Sequence, residues 1–430
     1  MSLKHPAGTI VVVLLVVCLL VGSLAATSSS AQRAVAQKPA SKGRPVTPAG
    51  TLVPDITTGQ AAVGALPVDF VRSPDKLGPD GAGRYLIAVN SGYGVQFNVS
   101  GNRSQQSLAV IDLNARPAAV IQNVYFPSPQ SVNVGVVFRP RPETDGAHLL
   151  YVSGGFENKI WIFRFHPGNQ LPISPGSTGP DTRVDAPFID VSGFANAANS
   201  PRYNSDRPAA YPTGLAISSD GNTLFVANKL GHSLGVITDL SGERELHRID
   251  LRHDRKQLIY PYGVVVLPGA RYKVYVSCSN EDTVAVINPF HGERALERIA
   301  VGRHPTVMLL NPEATRLYVA NSNDDSVSVI DTKTDREIER IRVRLSKTVP
   351  PRDSPEGLAL RGDDLYVANA HSNSVAVVEL SNKSRSTVRG FIPTGQYPSA
   401  LAIVGRTLFV GNGIGNISAI NIPDNRALAR

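Results

Sequence analysis

Apolar and polar positions along this chain follow a pattern that returns at long intervals. An apolar phrase closing on a small or polar residue occurs as Leu224-Phe-Val-Ala-Asn228, Val274-Tyr-Val-Ser-Cys278, Leu317-Tyr-Val-Ala-Asn321, Leu365-Tyr-Val-Ala-Asn369 and Leu408-Phe-Val-Gly-Asn412. Its last residues lie 50, 43, 48 and 43 positions apart. After each phrase comes a short polar or Gly-rich link and a second apolar run, at 233–237, 283–287, 326–330, 374–378 and 416–420. Short apolar runs bounded by turn residues predict buried strands, and two runs joined by such a link predict a hairpin. Upstream of each hairpin stands a Pro-x-small signal opening another apolar run: Tyr211-Pro-Thr-Gly, Tyr260-Pro-Tyr-Gly, His304-Pro-Thr-Val, Ser354-Pro-Glu-Gly and Tyr397-Pro-Ser-Ala. Downstream lies an alternating segment such as Glu337-Ile-Glu-Arg-Ile-Arg-Val343, the pattern of a half-exposed outer strand. Several short strands in a period of about 40–50 residues predict a propeller blade.

Two earlier copies appear once the late pattern is known. Tyr85–Asn90 is expected to pair with Ser107–Asp112, and Leu149–Gly154 with Lys159–Arg164, which makes seven blades. The last blade runs out soon after Ile420-Asn-Ile422, while Ala62-Val-Gly-Ala-Leu-Pro67 near the other end matches the outer-to-inner junction Ala300-Val-Gly-Arg-His-Pro305. The N-terminal strand is therefore expected to complete the seventh blade. The predicted fold class is all-β, a seven-bladed β-propeller over residues 51–430 closed by the N-terminal strand. Small residues in the middle strands (Ala227, Ser277, Ala320, Ala368) are expected to let blades approach near the axis.

Charge changes the picture little once it is located. The chain carries 43 Lys and Arg against 35 Asp and Glu, but five of the basic residues and none of the acidic ones fall in the first fifty positions. The remainder holds 38 against 35, and this near-neutral ring argues against nucleic-acid binding. Lys4 and His5, the apolar stretch Ile10–Val21 and the small residues Gly22–Ala26 read as a signal peptide over residues 1–26, with an uncleaved anchor as the alternative. Residues 27–50, rich in Ser, Ala, Gln, Lys and Pro, read as a flexible linker. An exported protein, periplasmic, cell-surface or secreted, is expected, touching membrane only through its N-terminal segment if that is kept. Cys18 lies in the signal, so only Cys278 remains and no intramolecular disulfide is expected.

The reiterated phrase resembles the YVTN-type β-propeller family over residues 57–422. Asn90-Ser-Gly-Tyr-Gly-Val-Gln96 and Leu150-Tyr-Val-Ser-Gly-Gly155 are also similar to the propeller half of bacterial exported proteins in which such a ring precedes a phosphoesterase domain of the alkaline-phosphatase superfamily. The resemblance covers only the propeller half and so implies no phosphatase activity here.

Candidate chemistry lies where inner strands begin, at the expected channel mouth. Leu66, Tyr211, Tyr260, His304, Ser354 and Tyr397 precede the inner-strand Pro, and Val68, Thr213, Tyr262, Thr306, Glu356 and Ser399 follow it. If these face the channel they form a ring of aromatic and hydroxyl groups with one imidazole and one carboxylate. Tyr211, Tyr260, Tyr262, His304, Glu356 and Tyr397 are the ligand-binding candidates; tyrosines in a repeat column more ordinarily pack between blades. His304 and Glu356 are the candidate acid–base pair of an enzymatic alternative. No His-x-x-x-His or Cys pair is present, which argues against structural zinc, and the absence of Cys-x-x-Cys-His excludes c-type haem. Propeller lactonases resemble this architecture and hold a divalent cation at the channel; Asp69, Asn133 and Glu356 are the oxygen donors here that could bind calcium or magnesium. The recurrent Asn228, Asn321, Asn369 and Asn412 are expected to make turn bonds to backbone, and Ser322–Ser326 to be a polar hairpin turn. The long segments Ser91–Gln106 and His166–Ala210 are expected to shape a partner surface if they project from one face, with Val184–Val191 supplying an outer strand.

The function expected is a non-enzymatic binding or assembly module at the cell envelope. It would act as a monomeric ring without cofactor, taking a protein or peptide partner or a small polar ligand. The alternative is a lactonase-like hydrolase with a divalent metal in the channel.

Overall fold

The apolar phrases are strands, and their predicted hairpins are present. Leu224–Asn228 pairs with Ser233–Thr238 in antiparallel register, Asn228 facing Ser233, and the same pairing joins Tyr85–Asn90 to Ser107–Asp112 and His148–Ser153 to Lys159–Phe165. The computed structural model describes residues 51–53, 64–92, 105–177, 179–195, 209–269, 272–290, 297–345, 353–381, 385–413 and 417–422, all within one compact unit, Pro45–Arg430. The signal and linker readings, the Asn-Ser-Gly-Tyr loop beyond Gly92 and residues 196–208 of the long insertion lie outside them.

Seven antiparallel sheets form the molecule. Their inner strands are Pro67–Arg72, Val136–Phe138, Pro212–Ile217, Pro261–Val266, Pro305–Leu310, Pro355–Arg361 and Pro398–Val404. Each inner strand touches that of the next blade, and the seventh touches the first, so the ring closes on itself. The middle strands are buried along all or nearly all of their length, as Leu224–Asn228 and Asp364–Asn369 show, because a neighbouring blade covers each face. The outer strand Arg336–Arg342 alternates exposed and covered positions. Apolar clusters lie between blades: Tyr275 and Val284 of the fourth pack with Leu317 and Ile330 of the fifth. Small residues serve close approach, and Ser277 Oγ donates across the seam to Thr306 O at 2.7 Å.

The chain ends are paired as expected. Thr51–Val53 lies antiparallel to Ile417–Asn421, Thr51 opposite Asn421 and Val53 opposite Ala419, which makes it the outer strand of the seventh blade. The second blade departs from the pattern. Its inner strand has three residues, and two short pieces, Ile173–Ser174 and Phe188–Asp190, share the edge of Lys159–Phe165. The described part of the insertion is a strap. Gln122 Nε2 donates to Ile173 O, Gln130 Nε2 to Val184 O and Arg248 Nε to Phe194 O, so it binds the first three blades together.

A second repeated device ties blade to blade. Asn158, Asp282, Asp325 and Asn373 stand just before the third strand of their blades with positive φ of 55°, 57°, 47° and 50°. The side-chain oxygen of each accepts from the backbone N–H that opens the next blade, at Tyr211, His304, Ser354 and Tyr397. Gln106 does the same for Val132. Asp325 is 1% exposed and holds both Asp353 N and Ser354 N. Asp325→Ala strands buried donors and is expected to cost about 2–4 kcal/mol in a urea melt; an unchanged midpoint contradicts this role.

Candidate functional site

The inner strands start in a way that aims residues at the axis. Leu66, Tyr211, Tyr260, His304, Ser354 and Tyr397, each before a Pro, all occupy the left-handed region with φ between 53° and 57°. Such a conformation is costly for a residue with a Cβ. A constant bond offsets it: the carbonyls of these six accept from Ser91, Lys229, Ser279, Ser322, Ala370 and Gly413 N–H at 2.9–3.1 Å. Directly after the Pro the pairing register slips in all six blades. A bulge at a strand start re-aims the residues inside it.

The two columns then part company. Thr213, Thr306 and Ser399 are buried and stitch blades together rather than face the channel. Thr213 Oγ1 donates to Tyr262 O at 3.0 Å, Thr306 Oγ1 bonds Ser322 Oγ, itself a donor to Pro355 O, and Ser399 Oγ donates to Pro67 O. The expected hydroxyl ring is thus a set of inter-blade ties, because a bulged strand leaves its backbone carbonyls open to a neighbour. Val68 packs against the apolar cluster shared by the first two blades. The tyrosines form a collar: Tyr211 packs edge-on against Phe156 at 4.7 Å, Tyr260 against His232 at 5.5 Å and Tyr397 against His371 at 5.6 Å, each partner belonging to the preceding blade.

Inside the collar, groups from different blades act on one another. Asp69, Lys229, Tyr262, His304 and Glu356 keep part of their surface open, yet burial dominates the ionisation of each. Surrounded by protein but reached by water is the state of a side chain lining a narrow channel. Burial pushes the Glu356 carboxyl up to about 7, against stabilisation of its charged form by Ser354, Ser322 and the Lys229 ammonium. Asp69 is likewise pushed up to about 7 by burial, opposed by the Phe70 N–H. Burial lowers Lys229, with Glu356 opposing, and lowers His304, helped by Lys229 and opposed by Asp282. Burial raises the Tyr262 hydroxyl, reinforced by Glu356, Asp69, Tyr397 and Tyr211. Lys229 comes from the third blade and Glu356 from the sixth, on opposite sides of the ring. Charges so placed sense one another only near the axis.

Sequence reasoning missed Lys229 and saw Asp69 only as a metal donor. Lys229 follows the repeat Asn, where other blades carry Ser91, Ser279, Ser322, Ala370 and Gly413; being the one charge in that column was the available signal. Asp69 holds the position that Gly135, Gly214, Gly263, Gly357 and Ala400 hold elsewhere, since Asp69 pairs with Val89 as Gly357 pairs with Ala368.

Among the described residues no three His, Cys, Asp or Glu side chains group closely enough to hold a metal ion. Burial, not mutual repulsion, raises Asp69 and Glu356, whereas carboxylates sharing one cation lie close enough to perturb each other. Asn133 Oδ1 accepts from Val134 N at 2.7 Å. Asp69 and Glu356 lie in the inner strands of the first and sixth blades, and Asn133 precedes that of the second. The recurrent Asn side chains are buried, and most bond across to the next strand rather than into the turn: Asn321 Nδ2 donates to Ser326 Oγ at 3.0 Å and Asn412 Nδ2 to Ser418 Oγ at 3.0 Å. Asn321 and Ser326 are directly opposed, near enough for such a bond, while Asn228, Asn369 and Asn412 also donate to the backbone carbonyls of Val226, Val343 and Val410. Asp324 of the polar hairpin turn accepts from Ser326 Oγ. A cleft of about 370 Å³ lined by Arg84, Tyr85 and Asp112 lies at the opposite strand ends, with Arg84 already paired to Asp112.

The raised carboxyls set a sign for stability. Between the ordinary Glu pKa of 4.5 and about 7, folded Glu356 keeps a proton that the unfolded chain has lost, so stability falls as pH rises through that window. Glu356→Gln is expected to raise the melting temperature at pH 8 and leave it unchanged at pH 4. Equal effects at both pH values contradict the burial of this carboxyl.

No protein-family model matches the chain, and no curated protein matches it in sequence. Solved propeller structures match its fold. A catalytically inactive variant of virginiamycin B lyase from Staphylococcus aureus with quinupristin has 13% identity and a TM-score of 0.54, over 87% of this chain and 99% of that one. Hydrazine synthase from Kuenenia stuttgartiensis has 18% identity and a TM-score of 0.53, over 85% and 97%. A candidate 6-phosphogluconolactonase from Bacteroides uniformis has 15% identity and a TM-score of 0.55, over 80% and 93%. At such identities the likeness is one of fold.

Proposed function

We propose that this propeller is a binding module of the cell envelope, of the YVTN repeat type, that takes a small polar ligand at the mouth of its central channel. One observation carries the reading: Asp69, Tyr262, His304 and Glu356 stand at the starts of four inner strands, with Lys229 beside a fifth, and all keep part of their surface open. Structural ion pairs elsewhere are closed, as Arg84–Asp112 at 2.6 Å and Lys273–Asp335 at 2.8 Å are. Polar groups gathered where inner strands begin and left partly open to water can bond something that enters. The N-terminal charge and hydropathy pattern supports export. The hydrolase alternative keeps His304 and Glu356 as its acid–base pair, with Asp69, Asn133 and Glu356 as oxygen donors for its cation.

The test is a thermal-shift screen of the purified protein against small acids, amines, sugars and short peptides. A ligand at about a hundred times its Kd adds about 2.7 kcal/mol to stability. At least one probe is expected to raise the melting temperature of the wild type and not that of Glu356→Gln. No shift with any class, or only shifts that survive the substitution, contradict the proposal.

A further inference from the structure

Independently of the channel, we infer that the cleft between the first two blades is a second binding site, which takes a neutral sugar. Its volume of about 370 Å³ lies at the low end of the range of small-molecule pockets, about 300–1,000 Å³. Arg84, Tyr85, Asp112 and Ile121 of the first blade line it, together with the turn Gly168–Gln170 of the second. Bonds fix these walls. Arg84 Nε donates to Asp112 Oδ1 at 2.9 Å and Nη2 to Oδ2 at 2.6 Å. The same guanidinium lies 5.0 Å from the centre of the Tyr85 ring. The Tyr85 hydroxyl accepts from Gly168 N–H at 3.0 Å, which ties the turn to the strand. Two donors are then left over among the described residues. Arg84 Nη1 has no acceptor, and neither has the proton of the Tyr85 hydroxyl, although Tyr85 is only 1% exposed. A buried O–H without an acceptor is unfavourable until one arrives.

The closed ion pair sets the charge of the ligand. Arg84 and Asp112 cancel, so an anion would meet the Asp112 carboxylate and a cation the Arg84 guanidinium, each without a free counter-charge. An apolar molecule would cover Arg84 Nη1 and the Tyr85 proton and pair neither. A neutral ligand that both donates and accepts fits. Arg84 Nη1 and Tyr85 offer donors, while Asp112 Oδ2 bonds only Arg84 Nη2 and keeps room to accept. The exposed amides of Asn169 and Gln170 make no hydrogen bond among the described residues and can do either. Neighbouring hydroxyls on a sugar ring can accept from a guanidinium and donate to the carboxylate beside it at once. A trans peptide points its N–H and C=O in opposite directions, so one such group does not reach both. Ile121, half-buried in the wall, offers apolar surface to the C–H face of the ring.

The experiment is ligand-observed saturation-transfer NMR on the full chain, titrated with glucose, galactose, mannose and N-acetylglucosamine. Glucuronate, glucosamine, N-acetylalaninamide and cyclohexanol serve as the charged, peptide-like and apolar matches. At least one neutral sugar is expected to bind saturably and about tenfold or more tightly than each of these four. Arg84→Met is expected to weaken that sugar about thirtyfold, the loss of one charged hydrogen-bond partner. Because this change leaves Asp112 without its partner, the double variant Asn169→Ala, Gln170→Ala on the exposed turn is measured too. It is expected to melt as the wild type does and to weaken the sugar about tenfold. Glu356→Gln is expected to bind the sugar as before, which separates this cleft from the channel. Loss of sugar binding in Glu356→Gln would move the sugar to the channel and overturn the inference while the channel reading stands. A match compound that binds as tightly as the sugars overturns it, as does sugar binding untouched by the Arg84 and turn variants. No binding by any sugar also overturns it, whatever the channel takes.

Discussion

A chain beginning at Ile56 melts several degrees below one beginning at Pro45, and it aggregates on heating. The difference between the two includes Thr51–Val53, whose three residue pairs with Ile417–Asn421 complete the seventh blade. Without them that strand becomes an open edge beside the buried Ile420 and Ile422. Lost ladder bonds at about 1 kcal/mol each give about 3 kcal/mol, before newly exposed apolar surface is counted. An unpaired strand edge also templates association between molecules. Scanning calorimetry with light scattering reads both effects. Equal melting temperatures for the two chains would mean that the ring does not depend on its N-terminal strand.

Gly135→Ala is expected to be strongly destabilising. A Cβ at Gly135 would lie 2.1 Å from Thr213 O and 2.7 Å from Leu215 Cγ. The same contact recurs around the ring, at 2.5 Å between Gly214 and Tyr262 O and 2.7 Å between Gly263 and Thr306 O. The obstacle is backbone of the next blade, so no side-chain rotation relieves it and the inner strands must part. Overpacking typically costs about 1–3 kcal/mol and more where backbone must move. A urea midpoint within error of wild type would contradict the close packing of blades at the axis. Asp69 occupies this position in the first blade, and the strand it faces, Val136–Phe138, is the one cut to three residues. That seam has room for a carboxyl where the seams at Gly135, Gly214 and Gly263 would not take a Cβ.

How much of this could be read from the residues differs by feature. The Tyr-Val-Ala-Asn phrases gave middle strands because burial on both faces demands an unbroken apolar run. The Pro-x-small signals gave inner strands because Pro and the bulge after it recur together. Ring closure followed from the junction shared by residues 62–67 and 300–305. What stayed hidden depends on direction. Thr213 and Tyr262 share a column, yet one ties blades and the other meets the channel, and residue type alone does not tell which. The Asn158–Asp282–Asp325–Asn373 ties were invisible because they join residues of different blades through backbone N–H groups. Lys229 went unnoticed because its column is otherwise small and uncharged, although that contrast was its signal.

The central claim is that the channel mouth is the binding site, and blocking it is the direct test. Cys278 is fully buried and its thiol pushed up to about 12, so a thiol reagent leaves it untouched. Tyr262→Cys places a reactive thiol in the channel, and Leu77→Cys places one on the surface, where the side chain is 55% exposed. Each is coupled to a bulky maleimide and titrated with the probe that shifts the wild-type melt. Labelled Tyr262→Cys is expected to lose binding at least a hundredfold relative to its unlabelled form, and labelled Leu77→Cys to bind as before. Full binding by the labelled channel variant would place the site elsewhere on the ring.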